Sequence, residues 1–257
     1  MLNIIVKGVF FMSAIEIILL ILSVALASLF IVVRVKVGGF MGLITKTIAS
    51  FGFVTSAIIG LVVTDATELS KWAVGLLVIG LLCGMIGDII LDLKVIYPDS
   101  DKYYLNTGMG SFFVGHIFYI VAFSLLVTAN INDYSTNVQL FGCTIPLLIT
   151  FGASAILTLM ITLSSTKMMG LNFGKFKWQT IGYTFILCCS MIYTLVLSIM
   201  GGAMWLAFVG MVLFFLSDVV LSFQYFGGKI ENKTMIAVNH GLYYAAQIVI
   251  VAVLFLI

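Results

Sequence analysis

Eight apolar stretches, each long enough to cross a bilayer, constrain this chain before anything else does. A helix needs about 20 apolar residues to traverse the hydrocarbon core. The stretches run Ile15–Val33, Phe40–Val63, Trp72–Leu91, Ser111–Thr128, Phe141–Leu163, Trp178–Ile199, Gly202–Phe223 and Asn239–Ile257. In hydrocarbon every backbone amide and carbonyl must be satisfied inside the chain, so such stretches become helices. The expectation is an all-α polytopic membrane protein, an eight-transmembrane-helix bundle. Composition agrees: of 257 residues 63% are apolar and only 9% charged. A soluble domain carries roughly 25% charged residues. Soluble enzymes, nucleic-acid-binding modules and disordered chains are excluded, because too little polar surface exists to cover a folded globule. The net charge of +2 is too small to imply a polyanionic partner, so no nucleic acid is expected. The connections are short and carry most of the charge. Residues 1–257 therefore read as a single integral membrane domain whose partner is the bilayer. The sequence says nothing of oligomeric state.

The N-terminal stretch imitates a signal peptide, with Lys7, an apolar run and Ala25-Leu26-Ala27 resembling a cleavage site. The run continues to Val33 and ends in Arg34 and Lys36, which favours a retained first span. The connections after spans one, three, five and seven hold nine Lys and Arg residues, against Lys7 and Lys71 on the other side. The positive-inside rule then places both termini outside and the odd-numbered connections in the cytoplasm. The four cysteines, at 83, 143, 188 and 189, lie in or beside apolar runs without CxxC spacing. They read as buried thiols rather than a disulfide or zinc framework.

An ionisable group inside the membrane costs at least roughly 2.5–3.5 kcal/mol and so needs a reason. Lys46, Asp88, His116, Asp218 and His240 are such groups. Asp88 and Asp218 lie near the C-terminal ends of spans three and seven; Lys46, His116 and His240 lie near the N-terminal ends of spans two, four and eight. By the topology all five share one leaflet, the cytoplasmic one, about one to two helical turns below the surface. A common polar cavity explains a common depth. Lys46 alone could equally snorkel; aspartate is too short to do so. Asp92 shares a face with Asp88 but precedes Lys94, Tyr97 and Pro98, and is expected to reach the surface.

Both histidines occur as His-x-x-Tyr, His116 with Tyr119 and His240 with Tyr243, and Gln247 extends the second face by a turn. Gly87-Asp88 precedes the first pair and Ser217-Asp218 the second. The recurrence four spans apart suggests two parallel pseudo-repeat halves, 15–128 and 141–257, with Asp88 facing Asp218 between them. Gly80, Gly84, Gly87, Gly108, Gly110 and Gly115 mark close packing of spans three and four.

Two carboxylates in one low-dielectric site do not both ionise readily, so the pair can supply a general acid and a general base. Lys46 or a histidine could hold one of them ionised. Hydrolysis of a lipid-borne bond, intramembrane aspartyl proteolysis and proton-coupled transport of a lipid or small molecule all fit, and spacing does not choose among them.

The segments Gly87-Asp88, Phe112–Tyr119 (FFVGHIFY), Phe214–Asp218 (FFLSD) and Tyr243–Gln247 (YYAAQ), with Thr45-Lys46, resemble those of the YhhN-like lysoplasmalogenase family. Thr47 stands where that family often has proline, and His240 matches no family position, so it rests on the repeat alone. The resemblance implies hydrolysis of the vinyl ether bond of a lysoplasmalogen, a lysophospholipid substrate, to a fatty aldehyde and a glycerophosphoethanolamine or glycerophosphocholine. It makes Asp88 and Asp218 the catalytic pair. Lys46, His116, Tyr119, Ser217, His240, Tyr243 and Gln247 become substrate-binding candidates, with Lys46 and His116 binding the lipid phosphate or tuning the acids. No cofactor is implied, and no metal, since a zinc hydrolase wants several ligands and only two histidines exist. A bacterial cell membrane is the expected location, with the site in the cytoplasmic leaflet. The protease alternative lacks its usual Tyr-Asp and Gly-x-Gly-Asp contexts. The transport alternative lacks broken spans, Pro98 and Pro146 lying outside spans or at their edge.

Overall fold

The computed structural model describes residues 14–63, 67–97, 100–129, 144–167, 169–200, 204–228 and 232–256. The helices are α1 (Ala14–Lys36), α2 (Gly39–Val63), α3 (Glu68–Ile96), α4 (Asp101–Ala129), α5 (Thr144–Lys167), α6 (Lys177–Met200), α7 (Met204–Phe226) and α8 (Lys233–Leu254). A single 3-10 turn, Gly174–Phe176, precedes α6, and there is no strand among the described residues. All eight helices are long and apolar enough to span a membrane. The expected bounds at Phe141, Gly202 and Ile257, and Cys143, lie outside the described residues.

Two starts differ from the apolar-run reading. α4 begins at Asp101, ten residues before Ser111, and α8 at Lys233, six before Asn239. The segment added to α4 is polar by composition yet helical by context; the one added to α8 is polar only at Lys233 and Thr234. Leu105 and Gly108 are buried, and a Cβ on Gly108 would meet Leu91 at 2.6 Å. Asn232 caps α8, its side-chain oxygen accepting from Met235 N at 3.0 Å. The α1–α2 connection is a tight turn at Gly38, whose φ of 68° lies in the left-handed region that glycine tolerates.

Seven helices close a ring in the order α1, α2, α3, α4, α6, α7, α8 and back to α1. α8 also packs on α2, and α5 lies outside the ring against α6. Phe53, Leu77, Phe123, Tyr193 and Phe214 fill the centre, each at most 1% exposed. The outward faces are apolar too: Ile18 and Ile21 on α1 and Ile156 and Leu159 on α5 are exposed, as lipid contact requires. Trp72 and Trp178, exposed in the first turns of α3 and α6, mark opposite ends of the bundle, where amphipathic rings favour the interface.

The α3–α4 contact sets the position of everything that follows. A Cβ on Gly80 would lie 2.5 Å from the Tyr119 ring and 3.1 Å from the Gly115 carbonyl. One on Gly87 would lie 2.7 Å from the Phe112 ring. The glycines anticipated as packing positions thus admit two rings that border the polar interior. Gly80→Leu is expected to lower stability by about 1–3 kcal/mol through overpacking. Unfolding in mixed detergent micelles measures this, and Gly75→Leu, at a position with nothing within 4 Å, is the matched control.

Candidate functional site

At the end of the bundle that carries the connections after α1, α3, α5 and α7, four charges meet, three of them buried and the fourth, Arg34, half-buried. Lys46 on α2 is 4% exposed, Asp88 on α3 3%, and Asp92 one turn further 4%. Lys46 Nζ lies 3.2 Å from Asp88 Oδ1 and 3.2 Å from Asp92 Oδ1. From α1, Arg34 approaches the far side of Asp92, with Nη1 3.2 Å from Oδ2 and Nη2 donating to Oδ1 at 3.2 Å. Two cations and two anions thus balance inside the protein, with each charge touching an opposite one. Lys46 is not a snorkelling lysine, since its ammonium is inside and doubly paired. Asp92 does not reach the surface as its neighbours suggested: α3 runs on to Ile96 and turns this face toward Arg34 and Lys46.

Hydroxyls complete the cluster. Ser50, one turn after Lys46 on the same face of α2, donates to Asp88 Oδ2 at 2.8 Å. The Tyr244 hydroxyl lies 2.9 Å from Ser50 Oγ and donates to the Lys46 carbonyl at 3.1 Å. Tyr243 borders Asp88 from α8. Behind it, Gln247 Nε2 donates to the Tyr243 hydroxyl at 3.0 Å, and Tyr119 donates to Gln247 Oε1 at 3.2 Å. Gln247 is fully buried, and this relay fixes the ring of Tyr243 in the wall.

Asp218 sits apart. Its one hydrogen-bond partner among the described residues is Tyr183 of α6, whose hydroxyl donates to Oδ2. No cation pairs with it among the described residues. Ser217 beside it is held by Asn239 of α8, whose Nδ2 donates to the Ser217 carbonyl at 2.8 Å and lies 3.3 Å from its Oγ.

Two cavities adjoin at Asp218. The polar one is lined by Arg34, Lys46, Asp88, Asp92, Asp218 and His240 among others. The second is walled by mostly apolar residues of α3 to α7, including Met109, Ile161, Leu187, Phe215 and Phe226. Leu91, Phe112, Asp218, Leu221 and Tyr225 line both. Toward the membrane centre the rings of Phe112, Phe214 and Tyr243 pack edge to face, with centroids 5.4–6.0 Å apart.

The sequence-derived candidates therefore divide. Asp88, Asp218, Lys46, Ser217, His240 and Tyr243 line the polar cavity. Tyr119 and Gln247 stand behind Tyr243 and line neither cavity. His116, 1% exposed, is also outside both: Nδ1 lies 3.0 Å from Ser190 Oγ, and the ring packs on Phe214 at 4.7 Å. Ser190 already donates to the Ile186 carbonyl, so His116 Nδ1 carries the proton and Nε2 faces apolar packing without a partner. His240 is half-buried and packs on Phe30 of α1 at 4.9 Å. Sequence reasoning missed Arg34, Asp92, Ser50 and Tyr183. A signal existed for Ser50, four residues after Lys46, and for Asp92, four after Asp88. None existed for Tyr183.

Removing one member of a buried ion pair leaves its partner uncompensated, at a cost of about 3–5 kcal/mol. Lys46→Met is expected to destabilise by that amount. Adding Asp88→Asn should recover part of it, since Arg34 and Asp92 then still balance. Detergent unfolding of the single and double variants measures both.

Comparison with curated proteins and with solved structures gave no match. The model of the YhhN family matches residues 43–254, a stretch that includes Lys46, Asp88 and Asp218, and the chain belongs to the YhhN family.

Proposed function

We propose that this protein is a membrane hydrolase that cleaves the vinyl ether bond of lysoplasmalogens. The observation that carries the proposal is the position of Asp218 on the shared wall of an apolar and a polar cavity. In a single-chain ether lipid the enol ether stands at the same kind of boundary, between hydrocarbon tail and glycerophosphate. With the tail in the cavity of α3 to α7, the reactive carbons come against Asp218 while the glycerol faces Asp88.

The charge balance divides the roles. Asp88 has Lys46 at 3.2 Å and Ser50 at 2.8 Å, so its carboxylate is compensated where it stands. Asp218 is half-buried and has no described cation paired with it; a carboxylate so placed is costly, and the acid form avoids that cost. Asp218 is the proton donor and Asp88 the base. Asp218 delivers its proton to the β-carbon of the enol ether, and the ether oxygen shares the resulting positive charge as an oxocarbenium ion. The Asp88 carboxylate stabilises that cation and takes a proton from water as the water oxygen bonds to the α-carbon. The product is a hemiacetal. In its collapse Asp88 returns that proton to the departing glycerol oxygen, and Asp218 removes the hemiacetal hydroxyl proton. Aldehyde and glycerophospholipid alcohol leave, and both carboxyls regain their starting states. Tyr183 positions the Asp218 carboxyl and, by donating to it, stabilises the anion formed when the proton leaves.

Purified protein in detergent, given a lysoplasmalogen, is expected to release free aldehyde. Asp88→Asn and Asp218→Asn should each lower the rate by about 10²–10⁴-fold, the usual contribution of general acid–base catalysis. Tyr183→Phe should lower kcat by about tenfold, the value of one hydrogen bond to a charged group, with KM little changed. Aldehyde release untouched by both aspartate changes would refute the mechanism.

A further inference from the structure

The apolar cavity ends against a strap, the connection between α5 and α6. Residues of the strap alternate: Leu171 and Phe173 are 6% and 8% exposed, whereas Asn172 and Gly174 are exposed. Such alternation marks extended chain with one face against the protein. Both buried residues line the apolar cavity and close it at the face of the bundle that carries this connection. The strap is held at both flanks. Gly170, with a φ of 64°, turns the chain out of α5 in a conformation that glycine tolerates. Asn172 Oδ1 accepts from Gly174 N at 3.0 Å, where the 3-10 turn begins. Asn172 N donates to the carbonyl of Phe226, the last residue of α7, at 3.4 Å. The Phe173 ring meets the Phe226 ring edge to face, with centroids 4.8 Å apart. The strap is thus pinned to α7 as a wall. α5, which lies outside the ring of helices, covers the side of the cavity with Ile161, Thr162 and Ser165.

The position of the wall sets a length. Asp218 and Phe226 both line this cavity and stand eight residues apart on α7, an axial distance of about 12 Å. An extended hydrocarbon chain advances about 1.2 Å per bond, so about ten carbons reach from the carboxyl to the strap. We infer that Leu171 and Phe173 are the end wall of the tail site and select the lipid by the length of its chain. A tail of about ten carbons is enclosed whole, and a longer one meets the wall. This inference rests on the proposed lipid substrate, and it adds a selection by chain length that the two aspartates do not provide. Leu171 and Phe173 are specificity-determining residues. They take no part in the proton transfers at Asp88 and Asp218.

The test uses lipids that lack the vinyl bond, so binding is read without turnover. The full chain in detergent is titrated with 1-O-alkyl-glycerophosphoethanolamines whose saturated chains are shorter than, equal to and longer than the span, about eight, about ten and about sixteen carbons. The ratio of variant to parent affinity at each length cancels the partition of the lipid into micelles. Phe173→Ala is expected to bind the longest chain at least about tenfold more tightly than the parent, the effect of burying two further methylene groups, and the shortest chain as the parent does. Leu171→Ala should act in the same direction. Phe176→Ala is the control: Phe176 packs on Phe226 at 6.4 Å without lining the cavity, so its ratio should stay flat across the series. Flat ratios for Phe173→Ala and Leu171→Ala, as a tail leaving sideways past α5 would give, overturn the inference and leave the hydrolase reading intact. A gain with Phe176→Ala equal to that with Phe173→Ala also overturns it, since a loosened strap would then set the length in place of a wall. Loss of binding at every length in both wall variants counts against it as well. A length limit in a protein that releases no aldehyde from any vinyl ether would sink the hydrolysis and support the wall.

Discussion

The interior of this bundle is organised by one interaction, the paired charges of Arg34, Lys46, Asp88 and Asp92. Each of these ions alone would be prohibitively expensive where it lies. Together they are neutral, and each anion touches a cation at 3.2 Å. The cluster draws on α1, α2 and α3, so those three helices must keep their register for any of the charges to be tolerated. Apolar contacts in lipid do not specify register in this way, because the hydrocarbon outside is as good a solvent for leucine as the helix interface. The α3–α4 glycine contact then carries α4 in at close range, and the ring closes through α6, α7 and α8.

Neutrality of the four makes Asp218 chemically distinct. A fifth charge on Asp218 would have no described cation paired with it, so the carboxyls on α7 and α3 have different surroundings although they line one cavity. In the proposed mechanism two acids of identical type take opposite roles from their neighbours alone. Tyr183 sharpens the difference. Its hydroxyl can follow either state of Asp218, which a fixed cation such as Lys46 cannot do without pulling the proton off.

Much of this was legible in the sequence, and the rest was hidden for physical reasons. The eight helices follow from apolar length, which the bilayer imposes directly. Lys46, Asp88 and Asp218 stand out because a charge within an apolar run has a known cost. Arg34 and Asp92 are charged too but sit at the ends of runs, where charge is ordinary, so composition hides their pairing. Asp92 misleads further, since Lys94 and Tyr97 just after it look like a surface. The structure instead extends α3 to Ile96 and keeps the aspartate inside. Ser50 and Tyr183 are hidden for a different reason: a serine hydroxyl can bond its own helix backbone and a tyrosine is mostly aromatic ring, so neither signals anything until a carboxylate is seen beside it. α4 starts before its apolar run because the first turns of a helix need not be apolar, and α8 starts before Asn239 because Met235, Ile236, Ala237 and Val238 carry the apolar run back toward Lys233.

The two histidines show where a motif stops being informative. Both begin a His-x-x-Tyr pair at similar depth, yet their surroundings diverge. His116 is enclosed by Phe214, Tyr119 and Tyr183, with its one polar contact to Ser190. His240 lines the polar cavity and packs on Phe30. The tyrosines diverge as well: Tyr119 donates away from the cavity to Gln247, whereas Tyr243 borders Asp88. Identical spacing therefore guarantees only that each histidine and tyrosine share a helix face. Which of them meets water, lipid or a carboxylate is decided by the helix opposite. For α4 that helix is α6, with Ser190 and an apolar wall; for α8 it is α1 and α2, with Phe30, Ser50 and the charges.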